Sequence, residues 1–289
     1  MDLKNIRIPV FYFARSTILG PLKVLKREKV RASLLMRLIR LLLVYCERRC
    51  MKYCTKLFVK SKSMINEVCE LYGADSEKVV IVTGGIDSND FFSRCSSSRL
   101  ATKRRLGIPL NTFVVLYAGR IIPQKGLLYL IQATLNLQKE KSLSVVIAGE
   151  TFNQEYAMKV RALIDKSIYR RSYYFLGHID QLTISSVIDI ANCLVTPSLY
   201  EPFGMVNLQA AFLKKTVITT NRVGSIDILA EYENKKIVEA RSTSAIELAL
   251  REVLSSERLK VWHTVDFKKY SWQNVAKQLL YQFSSNKSI

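Results

Sequence analysis

From residue 110 onward, short uninterrupted apolar runs alternate with amphipathic stretches, and this pattern leaves few folds open. "FVVLYAG" (113–119), "SVVIAG" (144–149), "YYFLG" (173–177), "CLVTPS" (193–198) and "TVITT" (216–220) are too short for helices and too continuously apolar for strands with one wet face. Between them lie helical periods, such as Leu127, Leu130, Ile131 and Leu135 at spacings of three and four. "KKIVEA" (235–240) and a helix from about Ser242 extend the series. Strands buried on both faces and separated by helices predict a parallel sheet covered on both sides, a doubly wound, Rossmann-like α/β domain.

The first hundred residues read differently. A basic helical region over Val24–Thr55 leads to "KLFVKS" (56–61), a helix to Tyr72 and "KVVIVT" (78–83), which gives two further buried strands. "SRCSSSRLATKRR" (93–105) has linker composition and marks a domain boundary. Residues 1–62 carry 16 lysines and arginines against three acids, so 13 of the chain's +20 excess charges sit there. Such an excess favours anionic partners, namely phosphates, nucleic acid or a negatively charged membrane surface. No RNP, helix-turn-helix or finger signature accompanies it, which argues against nucleic acid.

The apolar run Leu34–Cys46 contains Arg37 and Arg40 and falls short of the roughly 20 residues a spanning helix needs. "IRIPVFYFA" (6–14) lacks a basic leader and a small-residue cleavage site, so no secretory signal is predicted. Cys46, Cys50 and Cys54 recur every four residues, a stripe spread along about 12 Å of helix and too long for one metal. Reduced cysteines used as small apolar residues fit best, and a cytoplasmic location follows.

Seven segments, in order, resemble the group-1 family of GT-B glycosyltransferases, retaining enzymes with nucleotide-sugar donors. They are "SEKVVIVTGGIDSNDF", "VVLYAGRIIPQKGLLYLIQA", "VVIAGE", "YYFLGHI", "VTPSLYEPFGMVNLQAA", "TVITTNRVGS" and "YSWQNVAKQLLYQF". They cover roughly 56–289, and "IPVFYFARST" (8–17) matches less fully. The resemblance implies two Rossmann-like domains: a partial amino-terminal, acceptor-side domain over 1–98 and a complete nucleotide-sugar-binding domain over 107–262. A helix over 263–289 would cross back toward the first. It also implies transfer from a nucleotide-diphosphate sugar to a glycan or lipid-linked acceptor, with no metal or other cofactor.

Gly119 ends a strand at its carboxyl edge, where open α/β sheets bind ligands, and Arg120 and Lys125 follow it. Two cations after a strand also suit a solvated loop. In the family they hold the donor's diphosphate and stabilise it as it departs. Glu201 contacts the transferred sugar, although a carboxylate at a helix start is favoured by the helix dipole alone. Pro202 and Gly204 make the turn into the next helix, whose free amides suit an anion. Phe203, Met205 and His178 complete the implied donor contacts, His178 where the backbone meets the base.

Gln209 stands where the family has a second glutamate for the ribose. Glutamine keeps an acceptor carbonyl and loses the charge, which weakens that contact by about 1–1.5 kcal/mol. Other departures are Lys214–Lys215–Thr216 in place of a small residue and proline, and Ser225 in place of glycine. "AGE" (148–150) lacks a second glycine at Thr151 or Phe152, and "YFARST" lacks the family's histidine. His263 reads as a surface residue, and no strand with a glycine turn is found before residue 56.

Three functional readings follow. The first is an enzyme, peripheral on the inner face of the membrane through residues 23–62. The second is a non-catalytic or split-chain protein needing a partner that completes the amino-terminal domain. The third is a basic membrane-surface adaptor. The basic face also suits a solvated core helix.

Overall fold

The structure is a computed structural model and describes residues 9–28, 33–86, 98–180, 183–255 and 266–285. The chain divides into two units, residues 1–85 with 268–289, and residues 86–267. His263 and residues 87–97 lie outside the described residues.

In the first unit, β1 (Phe11–Phe13), β2 (Lys56–Val59) and β3 (Val79–Ile81) form a parallel sheet in that order. Alternation along β2 sends Leu57 and Val59 to one face and Phe58 to the other. The first face packs on Met51, Met64, Val68 and Tyr72, from helices α2 (Leu34–Tyr53) and α3 (Lys62–Tyr72). The second meets Val275 and Phe283 of the terminal helix, Trp272–Ser284. The Phe283 ring lies 4.6 Å from Phe11 and 6.0 Å from Phe58.

The amides opening α1 (Leu19–Arg27) need acceptors. Ile18 N–H donates to the Glu47 carboxylate (3.1 Å), and Ile18 and Leu19 N–H both donate to the Tyr72 hydroxyl (3.0 and 2.9 Å). Burial, with Glu47 alongside, pushes the Tyr72 hydroxyl well above the usual tyrosine range, so it stays neutral in that role.

One expectation is refined here and another changes. A strand at 11–13 does precede residue 56, though Ala14, Arg15 and Ser16 follow it and no glycine turn does; three apolar residues carry no period to identify. The basic region is two helices, with Lys23, Lys26 and Arg27 on α1 and Arg37, Arg40 and Arg48 on α2. The basic helical region expected over Val24–Thr55 is therefore divided between two helices.

In the second unit all the apolar runs are strands: β4 (Phe113–Ala118), β5 (Leu143–Ala148), β6 (Tyr173–Gly177), β7 (Cys193–Thr196), β8 (Thr216–Thr220) and β9 (Lys235–Val238). They pair in parallel in the order β6-β5-β4-β7-β8-β9. This is the doubly wound order, and its switch point falls between β4 and β7. Val115, Tyr117, Val145, Ile147 and Val195 share one core with helices α5 (Leu127–Leu137), α6 (Gln154–Asp165) and α9 (Thr243–Ser255). Their alternating neighbours Val114, Leu116, Val146 and Leu194 are equally buried and face the other way.

Arg99–Arg105, read as linker, is helix α4, and it packs on α7 (Ile184–Ile190). Its charges hid it. Lys103 is buried, and its ammonium donates to the carbonyls of Leu110 (2.9 Å) and Thr112 (3.2 Å). Among the described residues no disulfide forms, and no helix is long and apolar enough to cross a membrane.

Candidate functional site

The carboxyl ends of β6, β5, β4 and β7 lie side by side, so the residues just after them form a row. Gly119 N–H donates to Ala148 O (2.9 Å) and Gly149 N–H to Gly177 O (2.8 Å), which carries the pairing past the strand ends. A Cβ on Gly149 would lie 1.9 Å from Gly119 O, so a side chain there would force β4 and β5 apart.

Tyr117 fixes the next position, its hydroxyl donating to Arg120 O (2.8 Å). Burial, reinforced by Tyr156 and Glu201 and opposed by Arg120, holds that hydroxyl far above the usual tyrosine range, so it remains a donor. The Arg120 guanidinium is exposed and lies 5.7 Å from the centre of the Phe152 ring, a cation–π contact across the ends of β4 and β5.

Lys125 closes a short turn, Pro123–Lys125, and its ammonium forms a direct ion pair with the Glu201 carboxylate. The two side chains are 16% and 20% exposed, enough shielding for the pair to outweigh a surface one. Both backbones are pinned. Leu199 N–H donates to Gln124 O (2.8 Å), Glu201 N–H to Arg222 O (3.1 Å) and Gly224 N–H to Glu201 O (2.9 Å).

After Glu201 the chain turns at Gly204 (φ +89°) into α8 (Met205–Phe212). Behind this helix start lies a buried polar cluster. Thr196 donates to Asn207 Oδ1 (2.9 Å), and Asn207 Nδ2 donates to Thr219 (3.0 Å) and Ser225 (3.0 Å). A satisfied network of this kind holds β7, β8 and α8 in one arrangement. Ser225 thus has a structural partner where the sequence suggested only a lost glycine.

A cavity of about 450 Å³ opens on the row of strand ends. Gly119, Arg120, His178, Met205 and Gln209, all singled out from sequence, line it. Lys125, Glu201, Phe203 and Gly204 do not; Lys125 belongs to the turn after β4 and the other three to the turn after β7. Phe203 is 5% exposed and packs inward, so its side chain offers no ligand surface.

Sequence reading missed Gly149, Glu150, Phe152 and Asp180, which also line the cavity. The signal was present, since "AGE" ends β5 as "AGR" ends β4. The strand order then grades the charge along the row. His178 and Glu150 (Nδ1 to carboxylate, 3.8 Å) lie at β6 and β5, with Arg120 at β4 and the Lys125–Glu201 pair at the switch point. Positive charge therefore lies at the Arg120 end of the row, and the carboxylates of Glu150 and Asp180 lie at the other.

Residues 98–271 match the family described as glycosyl transferases group 1. An uncharacterized glycosyltransferase of Methanocaldococcus jannaschii is 28% identical over 224 residues, covering 75% of this chain and 57% of that protein. The alpha-maltose-1-phosphate synthase of Mycolicibacterium smegmatis is 25% identical over 250 residues, covering 82% and 64%. The chain thus spans less than two thirds of the length of these curated relatives. Among solved structures, Anabaena HepE in complex with UDP and glucose superposes with a TM-score of 0.77 at 18% identity, over 96% of this chain and 72% of that one. That likeness establishes a shared GT-B fold.

Proposed function

The chain belongs to the glycosyl transferases of group 1, and from that premise we propose that it moves a sugar from a nucleotide-diphosphate donor to a glycan or lipid-linked acceptor with retention at the anomeric carbon. The observation that carries this reading is the Lys125–Glu201 pair, set at the switch point beside a cavity that Arg120 lines. A diphosphate entering between Arg120 and Lys125 takes the ammonium from Glu201. The released carboxylate then accepts from hydroxyls of the transferred sugar, while the two cations stabilise the departing nucleoside diphosphate. The nucleoside extends along the row, with ribose toward Gln209 and base toward the backbone at His178. In this scheme Arg120 and Lys125 supply the positive charge at the phosphates.

The test is a thermal-shift titration with UDP, GDP and ADP. Stabilisation by one of them is expected, and no response from a cooperatively unfolding sample would rule out a self-sufficient donor site. Gln209→Glu is expected to tighten binding of the responding nucleotide about tenfold, by restoring a charge-assisted bond to the ribose. Calorimetric Kd values check this, and unchanged affinity would remove Gln209 from the ribose contact.

A second observation favours membrane docking. Val44, Glu47 and Met51 turn α2 inward, while Leu34, Leu35, Leu38, Leu41 and Leu42 are each 56–73% exposed. Arg48, Arg49 and Lys52 follow at the helix end. Leucines for the acyl region beside cations for phosphates fit an anionic bilayer surface, whereas the shared positive charge disfavours a second copy as occupant. Vesicles containing phosphatidylglycerol should sediment the chain, and Leu38→Ser with Leu42→Ser should weaken this at least tenfold. Failure to sediment, with elution as a dimer or with an added partner chain, would identify the leucine face as a protein interface.

A further inference from the structure

The first unit holds a second, separate cavity, of about 320 Å³, at the carboxyl ends of its own three strands. Arg15 follows β1, Lys60 follows β2 and Val82 follows β3, and all three line it. The remaining wall is Phe13, Ala14, Phe58 and Trp272. Phe13 and Phe58 lie with ring centres 4.6 Å apart. Trp272 opens the terminal helix and is 52% exposed. A Cβ on Gly85 would lie 2.7 Å from the Trp272 ring, so the backbone there supports the indole directly and leaves the rest of it open.

Two features set this cavity apart from a surface groove. Lys60 is half-buried, and burial lowers its ammonium's pKa, with the charge of Arg15 as the second cause. Among the described residues neither cation has a carboxylate or hydrogen-bond partner. A shielded, unpaired lysine held beside an arginine is unfavourable until an anion arrives. The aromatic walls supply flat apolar surface beside that charge, the usual composition of a small-molecule site. The volume is at the small end for such sites, suited to one ring and one anionic group.

We propose that this cavity binds a phosphomonoester carried on a sugar or polyol, with Arg15 and Lys60 on the phosphate and Phe13 and Trp272 against the ring. Two adjacent cations match a group carrying close to two negative charges, and arginine suits its oxygens geometrically. If the chain transfers sugar as proposed above, this ligand is the acceptor, or the phosphorylated end of one. That role rests on the transfer reading, whereas the binding does not.

Calorimetric titration of the full chain with glucose 6-phosphate, glucose and inorganic phosphate tests the site. Glucose 6-phosphate should bind, glucose should not, and inorganic phosphate should bind at least tenfold more weakly. Arg15→Gln and Lys60→Met should each weaken glucose 6-phosphate about tenfold or more, leaving the response to nucleotide unchanged as evidence of an intact fold. Trp272→Leu should weaken glucose 6-phosphate and leave inorganic phosphate as it was. Equal affinity for the sugar phosphate and for phosphate alone, indifference to both charge substitutions, or no binding at all would overturn the proposal. Loss of nucleotide binding alone, with glucose 6-phosphate still bound, would instead sink the transfer reading and leave this one standing.

Discussion

Replacing Lys125 by alanine should remove nucleotide-dependent stabilisation and lower kcat/KM for sugar transfer about a thousandfold. Two losses combine. A charge-assisted contact to a phosphate contributes about 1.5–3 kcal/mol, or roughly ten- to a hundredfold in affinity. Charge that grows on the leaving diphosphate adds a factor expressed only in the transition state. The structure adds a discriminating feature, because Lys125 is held by Glu201 before any donor arrives. Glu201→Gln should therefore release the ammonium, leaving diphosphate affinity equal or higher while transfer falls. Opposite effects on nucleotide Kd from the two substitutions, with both transfer rates reduced, would establish the division of labour. Equal losses of affinity would show that the pair serves the fold and not the donor. Some loss of stability, about 1–2 kcal/mol, accompanies Lys125→Ala, since the carboxylate left behind is only 20% exposed.

Gly126→Ala should be among the most damaging single-methyl additions in the second unit's site. Gly126 sits at φ +65°, and a Cβ there would meet the Pro197 carbonyl oxygen at 2.1 Å and Pro197 C at 3.0 Å. Backbone cannot rotate away as a side chain can, so the turn over 123–126 must lift off the loop after β7. That breaks the bond from Leu199 N–H to Gln124 O (2.8 Å) and draws Lys125 from Glu201. The combined cost of left-handed backbone and overpacking is about 3 kcal/mol or more, a fall in Tm of roughly 6–12 °C. Thermal unfolding followed by circular dichroism measures it. A Tm within about 2 °C of the parent would show that this turn is not pinned, and with it would go the explanation of how Lys125 reaches Glu201.

Much of the second unit was legible because its central strands, β5, β4, β7 and β8, are buried on both faces. Continuous apolar runs such as "VVIA" have few alternative uses, and the helical periods between them admit only a covered parallel sheet. Arg120, Lys125 and Glu201 were candidates partly for a related reason, since strand ends are where such sheets bind ligands, and partly through the resemblance to the family. Less legible were residues whose role depends on a distant neighbour. Phe152 follows β5 as an exposed aromatic, and only the parallel pairing with β4 brings it to Arg120. Lys215 read as a defect in place of a small residue or proline, yet its buried ammonium pairs with Asp189 Oδ1 at 3.0 Å. Its carbonyl accepts from the Tyr232 hydroxyl at 2.8 Å.

The sequence alone determined the α/β class, the parallel sheet and the placing of cationic and acidic residues at strand ends, because each follows from local period or local order, and it determined the family through the resemblance of its ordered motifs. The tertiary structure decided which charges meet. Lys125 and Glu201 are 76 residues apart and pair across the switch point, while Arg15 and Lys60, 45 apart, meet no acid among the described residues. Strand order and backbone clearance at single glycines fix those encounters, and neither leaves a periodic trace along the chain.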